Sequence, residues 1–262
     1  MKRICTITCK GNSIVPPQSK WLNTVDPEMN RLYYIEDGKA SYLEDGILHP
    51  FEVGKMYLLP SYAAISTYTD DSDRLHHAYV NFWLSPQIVS KKVLSLDPNS
   101  SPKLQATVCA FRELCKNDYN LRFQTTPLSS TEEQDLNLLS TLTAYLTESA
   151  ITAYPNCILM DEEIISALKL MHTTLNEKLS ISDIAAKCFM STGGFIKKFT
   201  RHIGKTPYAY LKDLKVRTAY SMRMEGASLE EAAAACGYSD ASALLHAIAT
   251  NTPVPKLKGR KG

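Results

Sequence analysis

Three cations lie close together in one short segment of this 262-residue chain, and their chemistry suits phosphate binding. Lys197, Lys198 and Arg201 follow Ser191, which is predicted to cap a helix running from Thr192 to His202. Ammonium and guanidinium groups on the outward face of a helix supply contacts that hold a protein on DNA. The segment therefore predicts a DNA-contacting helix, with a solvated charged face as the alternative.

A second set of side chains, in the N-terminal half, combines aromatic faces with polar tips. Such a mixture is typical of pockets for sugars or other small metabolites. The residues predicted to bind a ligand are Tyr33, Tyr57, His77, Tyr79 and Asn81. Half-buried tyrosines are also common core residues, so the alternative is that these side chains only pack.

Metal chemistry finds little support in the same half. His76 and His77 are adjacent in a predicted strand, so their side chains point to opposite faces and cannot bind one metal ion together. The other histidine of this half, His49, falls in a predicted loop. We therefore expect no catalytic residue, no bound metal and no cofactor.

The cysteine pattern and the hydropathy indicate a cytoplasmic protein. The seven cysteines are odd in number and lack zinc-finger spacing, which predicts reduced thiols. No apolar run approaches the roughly 18 residues of a membrane span. No long apolar run follows the basic start Met1–Thr6, so no signal peptide is expected.

The net charge of +2 conceals opposite charges in the two halves. From Asn176 onward there are 14 Lys or Arg residues against 7 Asp or Glu, and the remainder has 15 against 20. A basic C-terminal region joined to an acidic N-terminal one is the layout of a DNA-binding module attached to a sensing or pairing module.

One helical pattern occurs twice in the basic region, at an offset of 48 residues. Leu179–Cys188 is repeated as Ala227–Cys236, and each copy has a serine followed three residues later by an acid. This capping box begins a helix. A second serine, Ser191 or Ser239, then opens another helix in each copy. Two short helices joined by a tight turn, present twice, predict two DNA-reading units.

A long helix is predicted to join the two units. Thr206-Pro207 is a typical helix start, and the apolar stripe that follows continues to Glu225-Gly226. Its roughly 20 residues span about 30 Å, close to the roughly 34 Å between successive major-groove faces of DNA. The second reading helix is predicted at Asp240–Thr250. A rigid helix of this length can hold two readers one helical turn apart.

Residues 1 to about 85 have the pattern of β structure, with turn signals such as Asp37-Gly38 and Asp45-Gly46. Many short strands at even spacing predict a small barrel or jelly roll. From Pro86 to Ile151 the pattern is helical, with Ser130 or Thr131 as the cap of one helix. Its apolar stripe either packs on the barrel or forms a dimer seam. The stripe comprises Leu136, Leu139, Leu142, Thr143, Leu146 and Ala150.

Residues 160 to 253 resemble the DNA-binding domain of the AraC/XylS family of bacterial transcription regulators. The matching residues are Ile184-Ala185, Met190-Ser191, Phe195, Phe199, Gly204, Thr206-Pro207, Tyr210-Leu211, Ala219, Ala232-Ala233 and Gly237-Tyr238-Ser239-Asp240. The N-terminal half resembles the family's cupin-like sensor in Arg31–Ile35, Gly54–Pro60 and His77–Phe82. The resemblance implies an α+β chain. A cupin-like β-barrel with helices, for ligand sensing and dimerisation, would occupy residues 1–155. An all-α domain of two helix-turn-helix units joined by a long helix would occupy 156–262.

The resemblance also implies which residues meet DNA. They are Ser191, Thr192, Gly193, Ile196, Lys197, Lys198, Arg201, Ser239, Asp240, Ser242 and His246. Lys197 stands where the family often has arginine, which suits a guanine edge or a phosphate. The second unit departs from the family pattern at Ala249 and Thr250, where lysines are usual. It is therefore expected to bind DNA weakly or through the backbone, with a basic tail as a phosphate-binding arm (Lys256, Lys258, Arg260 and Lys261).

These features predict a ligand-responsive, sequence-specific transcription regulator and not an enzyme. The expected partners are double-stranded DNA, a second copy of the chain and a small-molecule effector, with RNA polymerase if the protein activates transcription and with no membrane. One alternative is a regulator of the same class without a small-molecule ligand. A cupin-type metalloenzyme or a zinc-dependent methyl acceptor is less favoured, because Cys5 and Cys9 alone fall short of four zinc ligands.

Overall fold

The computed structural model describes residues 4–22, 29–44, 47–62, 66–85, 88–90, 92–121, 124–159, 161–177, 179–224 and 226–250. The chain separates into two compact units, the first formed mainly by residues before Asp161 and the second mainly by residues from Asp161 onward. Strands and two long helices make up the first unit, and the second is helical. The α+β class predicted from the sequence is confirmed.

Twelve strands precede Asp161 in the described part of the chain. They are β1 (Ile4–Val15), β2 (Lys20–Leu22), β3 (Asn30–Gly38), β4 (Ala40–Glu44), β5 (Ile47–Pro50), β6 (Met56–Leu59), β7 (Ser66–Thr69), β8 (Leu75–Ser85), β9 (Val89–Ser90), β10 (Leu94–Leu96), β11 (Tyr119–Asn120) and β12 (Ile158–Leu159). The long strands are rich in β-branched and aromatic residues, which fit a pleated surface.

The largest sheet has six strands in the order β10-β6-β3-β8-β1-β11, and its main pairs are antiparallel. Since side chains alternate along a strand, one face of the sheet carries Leu32, Met56, Val80 and Phe82. Two helices, α1 (Pro102–Leu114) and α2 (Ser130–Ala153), contribute to the same apolar cluster. This helix-covered face is the core of the first unit.

Helix α2 uses its apolar stripe within its own chain. Leu139, Leu146 and Ala150 are buried in the cluster beneath the sheet, so packing on the same chain accounts for them and a dimer seam does not. The helix begins one residue earlier than predicted. Ser129 is its cap, because the Ser129 hydroxyl accepts from the Glu132 amide and Glu132 completes a capping box.

The predicted closed barrel is wrong, because the described strands form separate sheets. A four-stranded sheet has the order β2-β7-β4-β5, and β9 pairs with β12. The chain turns from the six-stranded sheet into the four-stranded one at Gly38, whose φ is +88°. A Cβ there would lie 1.8 Å from the Arg74 carbonyl oxygen, so only glycine fits. The Asp37-Gly38 signal therefore marks a corner between sheets and not a hairpin, whereas β4 and β5, on either side of Asp45-Gly46, are neighbours in the four-stranded sheet.

An ion pair joins α1 to β3 in the first unit. Arg112 Nε donates to Glu36 Oε1 at 2.9 Å, and Arg112 Nη2 donates to Glu36 Oε2 at 3.1 Å. The Arg112 guanidinium also lies 4.8 Å from the centroid of the Tyr34 ring. The hydrogen bond from Arg112 holds the pKa of Glu36 below its ordinary value. The pair therefore stabilises the fold only while Glu36 is ionised.

We expect Glu36→Gln to lower the free energy of unfolding by about 1 kcal/mol at pH 7, a modest value because the Arg112 side chain is 38% exposed. A depressed carboxyl pKa contributes stability above its unfolded value of about 4.5, and this contribution is lost as pH falls through the folded value. Urea unfolding of wild type and variant at pH 7 and pH 3.5 measures the effect.

Glu113→Gln is the matched control, because Glu113 forms a surface pair with Lys116 one helical turn away. It is expected to change stability by less than about 0.5 kcal/mol at either pH. If Glu36→Gln were as destabilising at pH 3.5 as at pH 7, the ion pair would not be the source of its stability.

Six helices follow Asp161 in the described residues: α3 (Glu162–Thr173), α4 (Ile181–Lys187), α5 (Thr192–Ile203), α6 (Pro207–Met224), α7 (Leu229–Ala235) and α8 (Ala241–Thr250). Both predicted capping boxes are present. The Ser180 amide donates to Asp183 Oδ2 at 2.8 Å, and the Ser228 amide donates to Glu231 Oε2 at 2.7 Å. Helix α6 has 18 residues and is about 27 Å long, slightly shorter than predicted.

Candidate nucleic-acid interface

Two buried aromatic rings fix α5 against its unit. Phe195 and Phe199 are fully buried, and their ring centroids lie 5.4 Å apart. Phe199 also meets the Tyr210 ring of α6 edge-on at 5.5 Å. Ser191 caps the helix by accepting from the Gly194 amide at 3.3 Å, and Gly204 ends it at a φ of +81°.

The face of α5 opposite these rings is open. Thr192, Gly193, Ile196, Lys197 and Arg201 are all exposed there or at the start of the helix. The structure thus brings these predicted DNA-contacting residues, with the Ser191 cap, onto one helix. Gly193 has open space where a Cβ would be, so the backbone can approach a partner closely at this position.

Lys198 lies on the flank of α5 and is engaged within the protein. Its Nζ lies 3.0 Å from Asp161 Oδ2 and also contacts Glu163 Oε2. His202 Nε2 lies 3.4 Å from the same Asp161 oxygen. Through these contacts Lys198 joins α5 to the start of α3. A contact between Lys198 and a DNA phosphate stays a prediction.

The second reading helix begins one residue later than the repeat predicts. The Ala243 amide donates to Asp240 Oδ1 at 2.8 Å, so Asp240 and not Ser239 is the cap of α8. The buried Leu244 corresponds to Phe195 at an offset of 49 residues, whereas the preceding helix pair is offset by 48. The sequence therefore shows the one-residue shift in the spacing of the buried anchors Phe195 and Leu244, but not in the spacing of Ser191 and Ser239.

The outward face of α8 has a different chemistry from that of α5. Ser242, Leu245, His246, Ala249 and Thr250 are exposed on it. This set contains one imidazole and no lysine or arginine. The basic tail with Lys256, Lys258, Arg260 and Lys261 lies outside the described residues.

The turns inside the two units have the same backbone hydrogen bonds. In the first, Met190 N donates to Ala185 O at 2.9 Å and Phe189 N to Ala186 O at 3.0 Å. In the second, Tyr238 N donates to Ala233 O and Gly237 N to Ala234 O in the same pattern. This is the Schellman arrangement, whose central residue is left-handed. Phe189 occupies that position at a φ of +58°, and Gly237 does so at +67°.

Phe189→Asn is expected to stabilise the C-terminal unit by about 0.5–1 kcal/mol. A left-handed φ strains a bulky residue, whereas asparagine tolerates it. The Phe189 side chain is 98% exposed, so its removal loses no packing. Thermal and urea unfolding followed by circular dichroism would measure the gain.

Gly237→Ala is the matched opposite change, because Gly237 holds the same turn position. Its Cβ would lie 2.6 Å from the Leu175 carbonyl oxygen, so we expect a loss of roughly 1–3 kcal/mol. Equal effects of the two substitutions would mean that backbone strain at these turns is not what sets stability.

The five residues predicted to bind a ligand share one face of the six-stranded sheet. Tyr33 lies opposite Tyr57 on one side and Tyr79 on the other, and His77 and Asn81 flank Tyr79 on alternate positions of β8. The Tyr33 and His77 ring centroids are 4.8 Å apart, and those of His77 and Tyr79 are 5.6 Å apart. This is the face opposite the helix-covered core.

Burial disfavours the charged forms of the titratable groups in this set. It lowers the pKa of His77 to about 4, with the neighbouring His76 adding to the shift, so His77 is uncharged at neutral pH. Burial also raises the pKa of the Tyr57 and Tyr79 hydroxyls. Among the described residues, Asn81 Oδ1 is buried without a hydrogen-bond donor. The five residues therefore present neutral polar groups among aromatic rings, and the buried cation Arg31 shares their face, opposite Asn81.

Several other residues of this face were not identified from the sequence. Phe51 meets the Tyr57 ring edge-on at 4.8 Å, and Tyr42 lies 6.1 Å from it. Cys9 Sγ lies 3.6 Å from the Tyr79 hydroxyl, and Gly11 is opposite Tyr79 on β1. Strand alternation predicts which residues of β8 share a face. It does not predict the pairing register, which decides which residues of the other strands lie beside them.

Within the described residues, no group of three or more His, Cys, Asp or Glu side chains is placed to hold a metal ion. Over the same residues, no helix combines the length and apolarity needed to cross a membrane.

Comparisons with known proteins identify one domain of this chain and solved structures of similar fold. Residues 184–255 match a family model described as a helix-turn-helix domain. No match to a curated protein was found. Among solved structures, ToxT from Vibrio cholerae is 10% identical with a TM-score of 0.56, over 94% of this chain and 93% of that one. ToxT from strain SCE256, solved with a bound unsaturated fatty acid, is 11% identical with a TM-score of 0.56, over 94% and 90% of the two chains. At these identities the likeness shows the fold.

Proposed function

We propose that this chain, in which residues 184–255 are an AraC-type helix-turn-helix domain, is a transcription regulator controlled by a small molecule. Regulators of this type bind DNA and are not enzymes, so we assign no catalytic residue. The observation that carries the proposal is the duplicated pair of capped helices whose first reading helix, α5, turns Lys197 and Arg201 outward.

DNA reading is assigned to the open face of α5. Ser191, Thr192, Gly193, Ile196 and Lys197 would approach the major groove, and Arg201 would contact a phosphate. The neutral Ser191 cap leaves the positive end of the helix dipole free to attract phosphate. For the second unit the family resemblance implies contacts from Ser239, Asp240, Ser242 and His246, but we assign DNA reading to the first unit alone.

The effector is assigned to the first unit. Its support is the aromatic face that carries Tyr33, Tyr57, His77, Tyr79 and Asn81, where the Asn81 oxygen lacks a donor that a ligand hydroxyl or amide can supply. ToxT, of similar fold, binds an unsaturated fatty acid and, in another structure, a naphthalenyl butenoic acid. A small metabolite such as a sugar is the ligand class that we assign here.

Control would work by shifting a balance between two arrangements of a paired regulator. Residues 1–155 would bind ligand and pair subunits, and residues 156–262 would bind DNA in the cytoplasm. A ligand changes DNA occupancy only if it binds one arrangement more tightly than the other. An activator would also meet RNA polymerase at the promoter.

The test starts with the full chain and a pool of random duplex DNA. Repeated selection at fixed salt, followed by gel-shift titration of an enriched duplex against random DNA, is expected to give at least a tenfold preference for the enriched site. Equal affinity for the two would overturn the regulator assignment.

The effector is tested separately, by screening metabolites for a rise in melting temperature of the full chain. A compound that raises the melting temperature is then added to the gel shift, and a changed affinity for the enriched site supports ligand control. Compounds that bind without changing DNA affinity contradict it. A screen without binders favours a regulator that uses no small molecule.

A further inference from the structure

We propose that only the first helix-turn-helix unit, α4–α5, binds DNA, and that the second, α7–α8, is kept off the phosphate backbone by its own charge. Each chain would then read one major-groove face and not two. This inference rests on the proposed DNA-binding function and concerns how much DNA one chain covers.

The two units differ in the sign of their charge. Residues 179–205 contain five lysines or arginines and a single acid, Asp183. Residues 226–250, which the structure describes in full, contain no lysine or arginine and carry Glu230, Glu231 and Asp240, whereas the cations of the basic tail all follow Thr250. Binding to DNA depends on neutralising phosphates with cations, so a unit with net negative charge is repelled.

The start of the second reading helix repeats this difference at atomic scale. A helix N-terminus attracts phosphate through its free amides, and α5 is capped there by the neutral Ser191 hydroxyl. At α8 the Asp240 carboxylate takes that place, accepting from the Ala243 amide at 2.8 Å and the Ser239 hydroxyl at 3.0 Å. These hydrogen bonds hold the pKa of Asp240 below its ordinary value, so the carboxylate is charged at neutral pH. A phosphate would meet an anion where α5 offers an open dipole.

The outward faces of the two reading helices complete the contrast. Aligned on their buried anchors, Lys197 corresponds to His246 and Arg201 to Thr250. Leu245, the counterpart of Ile196, is 47% exposed. The α8 face therefore offers one imidazole and two hydroxyls in place of the ammonium and guanidinium groups of α5.

Two cations of the joining helix α6, Lys215 and Arg223, are engaged within the protein. Lys215 lies over the Tyr238 ring, with its Nζ 6.0 Å from the ring centroid, and burial lowers its pKa. Arg223 donates to the Ala227 carbonyl oxygen. Both side chains are used at the turns that hold the second unit in place.

The experiment uses the full chain and a duplex enriched by selection. Hydroxyl-radical footprinting is expected to show protection over one major-groove face per chain, and His246→Ala is expected to change affinity by less than twofold. The double substitution Asp240→Ser, His246→Lys gives the second unit the cap and the cation of the first. It is expected to extend the footprint by about one helical turn of DNA, roughly 10 base pairs, and to steepen the salt dependence by about one phosphate.

Protection of two successive major-groove faces per wild-type chain would overturn the inference, as would a tenfold loss of affinity in His246→Ala. An unchanged footprint in the double variant, with unchanged circular dichroism and melting temperature, would show that charge is not what excludes the second unit. Failure to enrich any duplex would instead remove the proposed function, and the inference with it.

Discussion

Replacing Phe199 with alanine is expected to lower the free energy of unfolding of the C-terminal unit by about 3–5 kcal/mol. The ring is fully buried between Phe195 and Tyr210, and alanine leaves a cavity that the rigid helix pair cannot fill. Because α5 depends on this anchor, we also expect specific DNA binding to disappear at temperatures where wild type still binds. Urea unfolding followed by circular dichroism, with gel shifts at matched temperatures, measures both effects.

Phe189→Ala is the matched control, since it removes the same side chain from a position 98% exposed in the turn before α5. It is expected to change stability by less than about 1 kcal/mol, because an exposed ring contributes little packing. Similar losses in the two variants would mean that Phe199 does not anchor the reading helix.

Lys197→Ala is expected to weaken binding to an enriched duplex by about 10- to 100-fold, which corresponds to a direct contact worth roughly 1–3 kcal/mol. Lys197 is exposed on the open face of α5, and no ion pair or hydrogen bond to its side chain occurs among the described residues. The variant should keep its circular dichroism and melting temperature. Gel-shift titration over a range of salt concentrations is the measurement.

The salt dependence tells which atom Lys197 contacts. Loss of a phosphate contact lowers the slope of log affinity against log salt by about one and weakens all sequences alike, whereas loss of a base contact relaxes preference at one position. Lys39→Ala, an exposed lysine of the other unit, removes the same charge and is expected to leave affinity within about twofold. Equal effects of Lys39→Ala and Lys197→Ala would reduce the role of Lys197 to general electrostatic attraction.

Part of the candidate site could be predicted because it depends on neighbours within one helical turn. A capping box joins residues three positions apart, and Ser180–Asp183 and Ser228–Glu231 form as their spacing predicts. Buried anchors such as Phe195 and Phe199 follow from helical periodicity in the same way. The opposite charges of the two reading units are also evident in the sequence. Their proposed effect on DNA binding depends on which side chains are exposed, and only the structure shows this.

Other expectations required contacts between distant residues. Lys198 is outward by helical periodicity, yet α3 supplies Asp161 and Glu163 beside it. The structure has Asp240 and not Ser239 as the cap of α8, because the buried Leu244 fixes the register of the helix. Which residue is the buried anchor depends on the side chains that pack against it.

The sequence by itself determined the positions of the helices to within one or two residues, the duplicated units, the polarity of each reading helix and the family resemblance. These features follow from local spacing and composition. Only the tertiary structure decided that the strands form open sheets with a corner at Gly38, and that Tyr33, Tyr57, His77, Tyr79 and Asn81 share one face. Strand pairing joins residues far apart in sequence, and its register depends on which faces are buried together. The register of strand pairing is therefore defined by the folded chain and not by any single segment.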